Sequence, residues 1–105
     1  MKIQVNIGDA KRSVAIRESA EAEVSRALER YADRITRVEV HLRDENSPSK
    51  EGPQDQRCSI EVRLAGLDPL AVDATAADLS HAIREAAGKA QRAVQRRLDR
   101  RDSHR

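Results

Sequence analysis

Phenylalanine and tryptophan are absent from this chain of 105 residues, and tyrosine occurs once, at Tyr31. The core must therefore be built from Val, Ile, Leu and Ala. Without Phe there is also no platform on which unpaired bases could stack, as they do on a four-stranded RNA-recognition sheet. Cysteine is equally scarce. The single Cys58 excludes an internal disulfide framework and fits a reducing compartment. The four glycines, Gly8, Gly52, Gly66 and Gly88, stand apart from one another, so neither a GxxG clamp nor a phosphate loop is present. No apolar run approaches the ~20 residues needed to span a bilayer. The opening Met1–Val5 is too polar for a signal peptide. These absences lead to the expectation of a soluble, cytoplasmic protein with no membrane partner.

Charge is plentiful but uneven. Charged residues make up 36% of the chain and the formal net charge is only +2, yet the cations gather at one end. Residues 79–105 hold eight Lys/Arg against three Asp/Glu, while residues 1–78 carry an excess of acids. Such asymmetry points to an anionic partner for the last quarter of the chain.

The apolar residues are few but periodic, which argues for an ordered fold and a single domain. Ile3, Val5 and Ile7 alternate with polar neighbours and predict a short strand ended by Gly8-Asp9. A first helix is expected from Val14 to Ala32, with Ser13 as N-cap and Ile16, Ala20, Val24, Ala27, Leu28 and Tyr31 on one face. Val38, Val40 and Leu42 form the inward side of a second strand. Cys58, Ile60, Val62 and Leu64 form that of a third, with Arg37, Glu39, His41, Arg43, Arg57, Ser59, Glu61 and Arg63 outward. Between them Asp44–Gln56, with Pro48, Gly52 and Pro53, reads as a long, mobile polar hairpin loop. Leu70, Val72 and Ala74 mark a fourth strand after a turn at Gly66–Pro69. Thr75-Ala76-Ala77-Asp78 has the form of a capping box opening a second helix that runs to about Arg100, with Leu79, Ile83, Ala86, Ala90 and Val94 on its apolar face. The expected fold is α+β, a two-layer β-α-β-β-β-α arrangement with both helices on one face of a four-stranded sheet. Residues 1–100 form the domain and 101–105 a frayed basic tail.

Catalytic chemistry finds no constellation here. Cys58 and His41 are the one tempting nucleophile–base pair, and strand parity puts them on opposite sides of the sheet. The three histidines, His41, His81 and His104, lack metal-ligand spacing. No enzymatic activity, metal, cofactor or small-molecule substrate is expected.

The second helix carries the sharpest feature. Lys89, Arg92, Arg96 and Arg100 follow 3-4-4 spacing and fall in one stripe beside the apolar face, about 16 Å long at the α-helical rise. Arg97 and Arg101 widen it where the helix is expected to leave the core. Arginine suits phosphate because its planar fork makes two bonds at once. Without base-stacking groups, such a surface should read backbone and shape and not base sequence.

Several segments also resemble a known family. Glu29–Leu42, "ERYADRITRVEVHL", is similar to the helix-to-strand junction of the ribosome hibernation-promoting and ribosome-associated inhibitor proteins, the sigma-factor modulation family. The likeness extends to "RCSIEVRLAG" and "DLSHAIREAAGKAQRAVQRR", and "DEN" at Asp44–Asn46 followed by Arg57-Cys58 resembles a short subgroup. The resemblance implies a protein that sits where messenger and transfer RNA bind in the small ribosomal subunit and holds ribosomes inactive under stress. Its partners would be the small subunit and its ribosomal RNA. Basic side chains on the two helices would meet that RNA: here Arg26 and Arg30 on the first, and Lys89, Arg92, Arg96 and Arg97 on the second, with Arg100 completing the stripe. The chain departs from the family where Arg84 and Gly88 stand, positions usually acidic. Lacking the second domain through which long members pair ribosomes, it is expected to be a monomer or weak dimer that does not itself pair them. The alternative is a protein–protein module using the polar sheet face.

Overall fold

A computed structural model describes residues 1–8, 14–44 and 56–103. The order is β1 (Lys2–Ile7), α1 (Val14–Leu28), a 3-10 segment (Glu29–Arg34), β2 (Ile35–Asp44), β3 (Gln56–Leu64), β4 (Leu70–Ala76) and α2 (Leu79–Ser103). The sheet runs β1-β2-β3-β4, with β1 parallel to β2 and the remaining pairs antiparallel. This is the expected α+β order. Ser13 and residues 45–55, expected as cap and hairpin loop, lie outside the described residues.

Register aligns the inward side chains into rows across the strands. Ile3 pairs with Val38, Val38 with Val62 and Val62 with Leu70. Val5, Val40, Ile60 and Val72 form the next row, and Ile7, Leu42, Cys58 and Ala74 the third. Val38, Val40, Cys58, Ile60 and Val62 are fully buried. Both helices cover this face, α1 over β1 and α2 over β3 and β4, and they pack against each other. Ion pairs between Glu23 and Arg84, and between Arg34 and Asp102, show that they run side by side in the same direction. The three apolar rows, with the buried pair Ile35 and Leu64 beyond them, are the sheet's contribution to the core. Ala20, Val24 and Leu28 come from α1, and Ala82, Ile83, Ala86, Ala87, Ala90, Val94 and Leu98 from α2.

Four local details differ from the sequence expectation. The α-helical part of the first helix stops at Leu28, not Ala32. The chain tightens into the 3-10 segment, and Ile35 is already extended, its N–H donating to Ala32 O. No glycine stands there to end the helix in a left-handed cap, and a narrowed last turn is the common substitute. Second, the β2–β3 register shifts between Ile35 and Arg37. Ile35 and Val38 differ by an odd number of residues and would face opposite sides of a regular strand. The bulge lets both be buried, while Thr36 is exposed with its hydroxyl donating to Arg63 O at 3.2 Å. Third, Thr75 does not cap α2. It remains in β4, paired with Arg57, and Asp78 is the cap: its Oδ1 accepts the His81 N–H at 2.9 Å and its C=O the Ala82 N–H at 3.1 Å. Fourth, α2 does not end near Arg100. Arg101–Ser103, expected as frayed tail, are helical, and residues 104 and 105 lie outside the described residues.

The β3–β4 connection is a turn closed by the Leu67 N–H donating to Leu64 O at 3.2 Å. Gly66 within it has φ 75°, a conformation that a side chain disfavours. Tyr31 and Ile35 seat the α1–β2 junction against the core: Ile35 is buried and Tyr31 half-buried.

Candidate nucleic-acid interface

The helices turn their outer face to solvent, and all seven sequence-predicted basic residues lie on α1, its 3-10 extension or α2. Their local surroundings divide them. Lys89, Arg97 and Arg101 follow one helical row toward β4 and the turn before it. Lys89 Nζ donates to Asp73 O at 3.0 Å, Arg97 Nη1 to Asp68 O at 2.8 Å and Arg101 Nη1 to Gly66 O at 3.3 Å. These cations fasten α2 to the edge strand β4 and the β3–β4 turn. The helix has not left the core at Arg97: Leu98 beside it is buried and Arg97 is itself half-buried. Sequence spacing merged this row with the outward one because 100° per residue gives an angle about the axis but not what lies opposite it.

Arg92 and Arg96 point outward. Both are exposed, and neither makes an ion pair or side-chain hydrogen bond among the described residues. The donors of both guanidinium forks are thus available to a ligand. Arg100, also exposed, continues their row at i+4. On the other helix, exposed Arg26 pairs with Glu23 one turn earlier. Arg30, at the start of the 3-10 segment, has its guanidinium 5.6 Å from the Tyr31 ring centroid. That ring anchors Arg30 at the surface by a cation–π interaction. The structure therefore brings Arg26 and Arg30 onto the same helical layer as Arg92, Arg96 and Arg100, and sets Lys89 and Arg97 to its β4 flank.

Two residues not predicted as site residues belong to this surface. Arg84 of α2 reaches across the interhelical groove to Glu23 of α1, Nε to Oε1 3.6 Å. Their proximity depends on how the helices align, which one-dimensional spacing does not encode. Arg17 is the second: Nη1 donates to Val5 O at 2.6 Å and so covers the backbone of β1, the sheet's other edge strand. Lys89 does the same for β4, and both reduce the tendency of an edge to pair with another chain.

The polar sheet face is organised differently. Register puts like charges directly opposite one another: Arg37 and Arg63, Glu39 and Glu61, Arg43 and Arg57. Such pairs repel. The repulsion is offset along and across the strands, by Arg37 with Glu39 at 3.9 Å, Arg63 with Glu61 at 3.5 Å, and Arg57 with Asp73. Arg37, Arg57 and Arg63 on this face thus have acidic partners, unlike Arg92 and Arg96.

Chemistry elsewhere is sparse. Cys58 is fully buried while His41 is exposed on the opposite face, and burial pushes the Cys58 thiol up to about 12. Among the described residues no group of three or more His, Cys, Asp or Glu is placed to hold a metal ion, and no helix is long and apolar enough to cross a membrane. Surface depressions between the N-terminal ends of the helices, lined by Ile16, Ser19, Leu79 and Ile83, and along Glu18, Glu21, Ala22 and Ser25 contain none of the basic residues above.

Residues 3–102 match the family described as Sigma 54 modulation protein / S30EA ribosomal protein. Among solved structures, the N-terminal domain of Protein Y from Thermus thermophilus is 29% identical, with 91% of this chain and 98% of that chain covered and a TM-score of 0.70. A structure described as a ribosomal subunit interface protein from Coxiella burnetii is 17% identical, with 94% and 99% covered and a TM-score of 0.76, a likeness of fold. No curated protein sequence matches the chain.

Proposed function

The chain belongs to the Sigma 54 modulation protein / S30EA ribosomal protein family, and from that premise we propose that it is a non-catalytic, ribosome-associated protein acting at the small subunit. Its helical layer meets ribosomal RNA in the channel used by messenger and transfer RNA, and occupying that channel keeps ribosomes idle under stress. The observation that carries this reading is the outward pair Arg92 and Arg96, exposed and unpaired among the described residues, on the helix layer that also displays Arg26, Arg30 and Arg100.

Phosphate is the ligand this chemistry suits. The guanidinium forks match phosphate oxygens, and no aromatic side chain is exposed to stack on bases. Binding should therefore follow the shape and charge of folded RNA and weaken steeply with salt. Lys89 and Arg97 contribute mainly by fixing α2 on the sheet, so that the outward row is held rigidly. Sedimentation of the tagged protein with purified small subunits tests the reading. Co-sedimentation at low salt that is lost at high salt, and lost in Arg92→Glu/Arg96→Glu, supports it. Protein remaining at the top of the gradient at low salt overturns it.

A second reading, a protein–protein module using the sheet face, rests on the like-charge rows of β2 and β3. It predicts an association that ribonuclease leaves intact and that Arg92→Glu/Arg96→Glu does not change.

A further inference from the structure

Glu23 lies in the groove between the helices. Its two carboxylate oxygens are divided between arginines of different helices: Oε2 accepts from Arg26 Nη2 on α1, and Oε1 faces Arg84 Nε of α2 at 3.6 Å. The side chain of Glu23 is 21% exposed, against 76% for Arg26 and 71% for Arg84. The acid thus sits at the floor and the two guanidiniums at the rim. Two such cations repel when brought together without a counter-charge. A shared carboxylate holds both in place, and the trio keeps a net positive charge. Each guanidinium has five N–H donors, more than one carboxylate oxygen engages, so donors remain for a ligand above the groove. Farther along α2, Gly88 has no side chain, and the Arg92 guanidinium lies over it, with Nη1 3.3 Å from where a Cβ would stand.

We propose that Arg26 and Arg84 form one phosphate-binding site for the RNA backbone across the interhelical groove, and that Glu23 is its positioning residue. The inference rests on the reading that the helical layer faces RNA, and extends it to two residues, Arg84 and Glu23, whose charges alone suggest opposite roles. Its sharpest consequence is a sign. If Glu23 is only an acid on an RNA-facing surface, Glu23→Gln removes repulsion and tightens binding. If Glu23 arrays the two arginines, the same change weakens it.

The experiment measures affinity for purified small ribosomal subunits at several salt concentrations, for wild type, Glu23→Gln, Arg84→Ala and the double variant, with thermal melting to check folding. The expected results are roughly twofold to fivefold weaker binding in Glu23→Gln, the scale of an exposed charge pair. The salt slope should fall by about 0.7–0.9 in Arg84→Ala, because one phosphate fewer is neutralised. The two losses should be less than additive in the double variant, because Glu23 acts in part through Arg84. Tighter binding by Glu23→Gln, or an unchanged slope in Arg84→Ala, overturns the site while leaving the functional reading intact. Failure of the wild type to bind small subunits overturns both.

Discussion

Two double variants that remove the same net charge from α2 should behave differently, and the difference follows from where each cation is directed. Lys89→Ala/Arg97→Ala deletes side chains that donate to Asp73 O at 3.0 Å and Asp68 O at 2.8 Å. Arg92→Ala/Arg96→Ala deletes side chains without a partner among the described residues. If Arg92 and Arg96 each neutralise one RNA phosphate, removing both lowers the slope of log K against log salt by about 1.4–1.8. Between 50 and 200 mM salt, the affinity of this variant should therefore fall about sevenfold to twelvefold less than that of the wild type. Its stability should hardly change, since exposed, unpaired side chains contribute little. For the other pair, each hydrogen bond contributes on the order of 0.5 kcal/mol in this exposed setting, so removing both costs about 1 kcal/mol in all. In a domain of this size that lowers the melting temperature by about 4–8 °C. The assays are fluorescence anisotropy with labelled protein and purified small subunits across a salt series, and calorimetric melting. Equal slopes in the two variants would mean that net charge, not direction, governs binding. A reduced slope confined to Lys89→Ala/Arg97→Ala would reverse the assignment.

Three further outcomes are expected. Hydrogen bonds from the His81 backbone and ring hold the Asp78 carboxyl below the usual carboxylate range. Its contribution to stability is therefore complete above the ordinary Asp value and is lost as pH falls through the lower folded one. Asp78→Asn, which keeps a good cap but does not titrate, should flatten the dependence of melting temperature on pH below about 4, and an unchanged acid profile would contradict this. Cys58, buried and with its thiol pushed up to about 12, should react with a disulfide reagent at neutral pH only at the rate of unfolding. Denaturant should accelerate the reaction in step with loss of helicity, and rapid labelling of the native protein would contradict its burial. Gly88→Ala should stabilise the protein by about 1 kcal/mol in denaturant melts, as an interior helical glycine replaced by the best helix former. The new Cβ would meet only the flexible end of Arg92, Nη1 at 3.3 Å, and destabilisation would show that this side chain does not yield.

Most of the fold is legible in the chain because two simple periods carry it. Alternation in Val38–Leu42 and Cys58–Leu64 sets the buried face, and the 3.6-residue period of Ala20, Val24 and Leu28 sets that of α1. What escapes sequence reading is what depends on neighbours distant along the chain. Ile35 joins the core only through a bulge opposite Leu64, and a pattern of alternating residues gives no sign of a register shift. Thr75 and Asp78 are both good caps by type, and strand pairing to Arg57 decides against Thr75. The candidate surface is legible to a lesser degree. The sequence places the cations on α2 but does not separate Arg92 and Arg96 from Lys89 and Arg97, whose acceptors belong to β4 and to the turn before it. It also gives no sign that Glu23 and Arg84, on different helices, share a groove.

The most direct test of the central claim asks which face of the protein looks at ribosomal RNA. The native Cys58 is buried, so a tethered iron probe can be attached selectively at a new surface cysteine. Gln95→Cys places it on the exposed side of α2, and His41→Cys on the polar sheet face. In complexes with small subunits, hydroxyl radicals from position 95 should cleave RNA lining the messenger and transfer RNA channel, and those from position 41 should cleave it weakly or not at all. Strong cleavage from position 41 with none from position 95 would contradict the account.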